Sequence, residues 1–206
     1  MKKEQNAEKT KVRKLARTKE KVSQWTTNPL NEKVLDYHNY EMTKSESVLY
    51  FVAAFLVGGV VSQFFYGGLF QEDGVPTLLT YISNSAAFVI VGLLVGKVFL
   101  PVRSRQLAEK RRDTLRRQFR DMLESLTASL AANSTVRDAF SSAYTDMCMQ
   151  YSDDALISKE LDQFRRAEQI NVTLNVMMDD FAKRSGVEEI QDFNNVFQVC
   201  YGPGGN

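Results

Sequence analysis

Residues 48 to 96 carry no lysine or arginine, and their only charged side chains are Glu72 and Asp73. Two apolar runs fill this stretch. Val48 to Tyr66 is 19 residues long, and as a helix at 1.5 Å per residue it spans about 28 Å. The second runs from Pro76 to Leu100 and stops at Pro101. A bilayer core of about 30 Å needs about 20 apolar residues, so both runs are long enough to cross. A pair of core helices in a soluble protein is the alternative, but such helices seldom stay uncharged for so long. The expected element is a transmembrane helical hairpin over 48–101. Its second helix carries Thr77, Thr80, Ser83, Asn84 and Ser85, which predicts that one side meets another helix rather than lipid. Asn84 and the Gly92-Leu-Leu-Val-Gly96 pair are the expected packing positions, because glycines four apart let two backbones approach.

Beyond Pro101 the pattern changes to helical stripes. Leu115, Phe119, Met122, Leu123, Leu126 and Leu130 recur every three to four residues, with Arg111, Arg112, Arg116 and Arg120 on the other face. Four more stripes follow, led by Val136–Met147, Ile157–Phe164, Leu174–Phe181 and Ile190–Phe197. Nothing in residues 102–206 alternates with period two, so no sheet is expected there. The fold class is all-α: the hairpin, then an antiparallel helical bundle. A short repeat supports it. Asn133-Ser134-Thr135 and Asn171-Val172-Thr173 stand 38 residues apart; each places Asn where a left-handed residue is needed and Thr as the next N-cap. Gly186 is the expected C-terminal cap before the last helix.

Charge sets the orientation. The 26 Lys and Arg balance 25 Asp and Glu, for a net charge of +1, and mean hydropathy is −0.29. These averages conceal the distribution: 11 basic residues fall in 1–47, none in 48–96, nine in 97–120 and six beyond. Basic residues favour the cytoplasmic side, so both termini are expected inside, with the acidic loop outside. The domains read as a basic N-terminal segment (1–47), the membrane hairpin (48–101) and a cytoplasmic helical domain (102–206). The first apolar run begins too far into the chain for a cleaved signal peptide. The first 20 residues read as a solvated tail or exposed helix near anionic lipid. Lys97, Arg103, Arg105, Lys110, Arg111 and Arg112 are the candidate contacts to lipid headgroups or an acidic partner. A nucleic-acid surface would interleave aromatics, and only Phe119 lies near, so no nucleic acid is expected.

Chemistry is sparse. The sole histidine, His38, reads as an exposed helix residue between Tyr37 and Tyr40, leaving no base for a serine or cysteine nucleophile. Cys148 and Cys200 lack metal spacing and read as core thiols. Asp153-Asp154 and Glu188-Glu189 read as first-turn acids complementing helix dipoles. No P-loop, GxGxxG or HExxH pattern occurs. Neither enzyme activity, metal nor cofactor is expected.

The run Arg117-Gln118-Phe119-Arg120-Asp121 through Asn133 to Phe140, and the run Phe181-Ala182-Lys183-Arg184-Ser185-Gly186 through Phe197 to Gly204-Gly205-Asn206, resemble the inner-membrane platform proteins of tight-adherence (Flp) pili, within the type II secretion F-domain superfamily. Asn133 and Asn171 stand where that family commonly has Gly. The family continues past Gly-Gly-Asn into further membrane helices, so the resemblance implies a C-terminally truncated member or a fragment. It also implies a scaffold in the bacterial inner membrane, partnered by a secretion or pilus ATPase, pilin subunits, and a second platform protein or a homo-oligomer. A membrane-anchored helical adaptor or signalling module binding a soluble partner is the alternative reading.

Overall fold

The computed structural model describes residues 23–66, 71–72, 75–76 and 78–201. The basic residues 1–20 and the Gly-Gly-Asn end therefore lie outside the described residues. Among the described ones the chain is predominantly helical, with six helices and two short strand pairs. In order these are β1 Trp25–Thr27, β2 Lys33–Leu35, α1 Lys44–Tyr66, β3 Gln71–Glu72, β4 Val75–Pro76, α2 Leu78–Ala131, α3 Val136–Tyr151, α4 Leu156–Gln169, α5 Leu174–Ser185 and α6 Glu188–Tyr201. Two compact units result, one of residues 40–107 and one that joins 23–39 to 108–201. The boundaries thus differ from those read off the charge pattern, because residues 23–39 pack with the helical body rather than standing apart.

In the first unit, α1 and the beginning of α2 are long and apolar enough to cross a membrane. Their outer faces are bare: Phe64 is 92% exposed and Leu78 76%. The second apolar run does not end at Pro101. The helix continues through it, and α2 is 54 residues long. Proline removes one N–H from the helical ladder, but here it does not stop the helix, whose polar second half is held by the core of the other unit.

That second unit has one aromatic-rich core. Leu115, Phe119, Met122 and Leu126 of α2 meet the buried stripes of α3 to α6, and α3 packs on α4, α4 on α5 and α5 on α6. Phe140 stacks on Phe164 at 5.4 Å, Phe119 meets Phe193 edge-on at 5.6 Å, and Phe197 joins Phe140 at 5.9 Å. Each fully buried ring of this kind contributes about 1.5–3 kcal/mol relative to exposure. The predicted stripes supply this core, with Leu123, Val136, Tyr144 and Phe193 partly buried against it and Leu130, near the end of α2, exposed. Asn133 and Asn171 both take the left-handed conformation, with φ of 62° and 59°. Thr135 caps α3 by accepting from the Asp138 N–H, and its hydroxyl donates to Asp138 Oδ2 at 2.7 Å. Thr173 occupies the N-cap of α5 without a side-chain hydrogen bond, and Gly186 ends α5 with φ of 60°.

Three local readings are corrected. His38 is exposed but follows β2 in a turn, where Asp36 Oδ1 accepts its backbone N–H and lies 2.9 Å from Nδ1. Asp153 and Asp154 precede α4, which has no acid in its first turn; the acid at a helix start is instead realised at Glu188 and Glu189. Cys148 is half-buried and Cys200 exposed, so only one of the two thiols approaches the core.

Candidate functional site

The feature with the most concentrated chemistry is the seat of residues 23–39 on the helical body. β1 and β2 pair antiparallel with Thr26 opposite Val34, joined by a loop in which Asn28 Oδ1 accepts from the N–H groups of Leu30 and Glu32. Asn31 turns the loop with φ of 60°. The Asn28 amide also donates to Gln163 Oε1 of α4 at 3.1 Å. The strap ends in Tyr37, 1% exposed, whose backbone N–H donates to the Arg184 carbonyl and whose hydroxyl donates to Glu160 Oε1 at 2.8 Å.

Glu160 and Arg184 complete this cluster. The Arg184 guanidinium donates to both oxygens of Glu160, to Asp180 Oδ2 at 2.7 Å and to the Leu35 carbonyl at 2.9 Å. Both side chains are almost wholly buried. Burial works against the Arg184 charge, but the hydrogen bonds and attraction from Glu160 and Asp180 outweigh it and hold its pKa above the usual arginine value. Burial, then the Glu160 charge, push the Tyr37 hydroxyl well above the ordinary tyrosine range. Four donors on one fixed fork thus join α4, α5 and the strap. The arrangement is a structural lock, since every charge in it is already answered.

The positions singled out from charge divide between the two units. Lys97, Arg103 and Arg105 belong to the first, and Lys110, Arg111 and Arg112 to the second. Lys97, Arg105 and Lys110 are exposed. Arg103 lies over the Tyr50 ring, 5.1 Å from its centre, and donates to Gln106. Arg111 reaches Gln24 of the strap at 3.4 Å, and the Arg112 side chain lies 3.1 Å from where a Cβ on Gly186 would stand. One of the six therefore reaches the strap.

Asn84 is half-buried, and Gly92 and Gly96 are buried. The ring of Phe55 fills the space a Cβ on Gly92 would need, at 2.7 Å, and Phe51 does the same at Gly96, at 2.6 Å. In return Gly59 of α1 receives Phe88 of α2, and Phe55 and Phe88 meet edge-on at 5.7 Å. The glycine pattern is thus used between α1 and α2 of this chain.

Sequence reasoning missed the strap, Tyr37, Glu160 and Arg184. The signal for the hairpin was present, since Trp25-Thr26-Thr27 and Lys33-Val34-Leu35 flank the turn formers Asn28, Pro29 and Asn31. Among the described residues no group of three or more His, Cys, Asp or Glu is placed to hold a metal. Burial, followed by the hydrogen bond that the thiol donates to Asp153, pushes the Cys148 thiol up rather than activating it. No protein-family model, curated protein or solved structure matches the chain.

Proposed function

We propose that the protein is an inner-membrane platform subunit of a tight-adherence pilus or type II secretion assembly machine. In this reading α1 and the apolar part of α2 form a membrane hairpin, both termini are cytoplasmic, and α3 to α6 with the end of α2 form an antiparallel bundle that engages a secretion ATPase. The protein acts as a scaffold rather than an enzyme, coupling that ATPase to pilin extraction and filament assembly. The observation that carries the reading is the joining of two exposed apolar helices to a helical body whose two Asn turns repeat. Those left-handed turns, at Asn133 and Asn171, keep the geometry that the resembled family builds with Gly. The free cations Lys97 and Arg105 then sit where anionic headgroups lie. The basic run 103–120 lacks the interleaved aromatics of a nucleic-acid surface.

The test is topological and biochemical. A reporter inserted at Glu72 is expected outside and reporters at both termini inside, with the protein resisting carbonate extraction and co-purifying with an ATPase or a second platform protein. A Glu72 reporter that stays cytoplasmic overturns the topology. Genes for a secretion ATPase, a prepilin peptidase and small pilins are expected beside this one, and their absence would favour a membrane-anchored adaptor.

A further inference from the structure

Lys97 and Arg105 of the first unit are exposed, but Arg103 between them is half-buried. Its guanidinium lies over the Tyr50 ring, 5.1 Å from the centre. It donates from Nη1 to Gln106 Oε1 at 3.2 Å and from Nη2 to the Tyr50 hydroxyl at 3.5 Å. Both acceptors are neutral, and Nε is buried without a hydrogen bond. A guanidinium has five N–H donors, so one is left over on each terminal nitrogen. Among the described residues no carboxylate pairs with this charge, whereas Arg116, Arg166 and Arg184 each hold two. Glu46, one turn before Tyr50 on α1, accepts the Thr43 N–H instead, at 2.9 Å. Ser104 Oγ donates to the Tyr40 carbonyl at 2.7 Å, which ties the chain entering α1 to α2 next to the arginine.

A charge drawn partly out of water with only neutral partners is costly until an anion completes it. We infer that Arg103 and Tyr50 form a seat for the phosphate of one anionic lipid. The fork of a guanidinium matches two phosphate oxygens, and the ring beneath it fixes the plane of the fork. The source of the phosphate follows from the position along the two helices. Arg103 stands three residues after Leu100, where the apolar run of α2 ends, and Tyr50 two residues after Val48, where that of α1 begins. At 1.5 Å per residue these are steps of about 3–5 Å. The headgroup layer is roughly 5–7 Å deep on each side of the hydrocarbon, so in the membrane-spanning reading the seat lies at headgroup depth. A lipid phosphate is already confined to that layer, while a free anion or an acidic peptide has to be drawn into it from water. Charge alone makes Lys97, Arg103 and Arg105 equal parts of a diffuse attraction; the geometry separates one built seat from two solvated cations. The inference rests on the membrane-spanning reading above, and the two fail differently.

The experiment is lipid retention by the full-length protein. The protein is reconstituted in vesicles of phosphatidylcholine with phosphatidylglycerol as the only anionic lipid, taken up in mild detergent, and its bound lipids counted by native mass spectrometry. One phosphatidylglycerol per chain is expected to stay bound in preference to phosphatidylcholine. Arg103→Gln is expected to weaken that retention about tenfold, the worth of a hydrogen-bonded contact to a charged group. Arg103→Lys, which keeps the charge and loses the fork, is expected to fall between the two and serves where Arg103→Gln does not accumulate. Arg105→Gln is expected to change it less than about twofold. Retention unchanged in Arg103→Gln, or lowered equally by Arg105→Gln, overturns the seat. Displacement of the lipid by inorganic phosphate or by a polyglutamate peptide overturns the lipid as its occupant. Release of the protein from native membranes by carbonate overturns the membrane reading and the seat with it.

Discussion

The carboxylate of Glu160 and the guanidinium of Arg184 meet at two points, 2.8 and 3.1 Å apart, with the residues 1% and 6% exposed. This pair, one residue from α4 and one from α5, is also what receives the strap, because Tyr37 donates to the same Glu160 oxygen. Two desolvated charges are tolerable only when each has its partners. The pair therefore links α4, α5 and the strap through one cluster of hydrogen bonds.

Removing one member should be costly. Glu160→Leu leaves a buried arginine with Asp180 and one carbonyl, and Arg184→Met leaves a buried carboxylate with one tyrosine. Each single substitution is expected to lower stability by about 3–5 kcal/mol, and the double substitution by clearly less than the sum. Urea unfolding of the detergent-solubilised protein measures this. Additive losses would show that the two groups act independently.

The Tyr37 hydroxyl gives the strap a pH dependence. Its pKa is raised in the folded protein by burial and by the Glu160 charge, so the neutral form is the one the fold favours. The contribution is fully present below the unfolded tyrosine value of about 10 and is lost as pH rises from there toward the folded value. Stability of the wild type is expected to fall above about pH 10 more steeply than that of Tyr37→Phe. Parallel curves for the two proteins would remove Tyr37 from the account. Below that range Tyr37→Phe loses one hydrogen bond to a charged group, about 1.5–3 kcal/mol.

The two asparagine turns answer a different question, whether backbone conformation alone selects the residue. At φ near 60° an ordinary side chain crowds the following carbonyl, while Gly does not. Asn133→Gly and Asn171→Gly are expected to stay within about 0.5 kcal/mol of wild type, and the Ala variants to lose about 1 kcal/mol. Thermal unfolding midpoints resolve the difference. An Ala variant as stable as Gly at either site would mean that the turn relaxes out of the left-handed region.

These elements differ in how far they could be read from the chain alone. The helices were legible because their apolar residues recur at helical spacing, and Asn-x-Thr marked both turns by local steric rules. Pro101 misled, because a proline argues for a helix end unless distant packing holds the helix on both sides, and the core around Leu115 and Phe119 is distant information. The lock was hidden for a related reason. Glu160 and Gln163 lie beside the apolar stripe of α4 and look like a solvated flank. They are buried because the strap, more than a hundred residues earlier, covers them. Within the candidate contacts, charge identified Lys97 and Arg105 as surface cations but could not distinguish Arg111, whose partner Gln24 is equally remote.

The glycines of α2 differ in what surrounds them, and that difference is testable. The three atoms nearest a Cβ on Gly96 all belong to the ring of Phe51, at 2.6 to 3.2 Å, and a ring can turn away. A Cβ on Gly92 would meet the Phe55 ring at 2.7 Å and also the Phe55 carbonyl oxygen at 2.9 Å, which moves only with the α1 backbone. Gly96→Ala is therefore expected to be mild and to be relieved by Phe51→Ala, through the coupling of neighbouring sites. Gly92→Ala forces α1 and α2 apart, costs about 1–3 kcal/mol as overpacking does elsewhere, and is not relieved by Phe55→Ala. The aggregation temperature of the detergent-solubilised protein is the measurement for all four variants. Full rescue of Gly92→Ala by Phe55→Ala would show that the ring alone, and not the backbone of α1, sets the approach of the two helices.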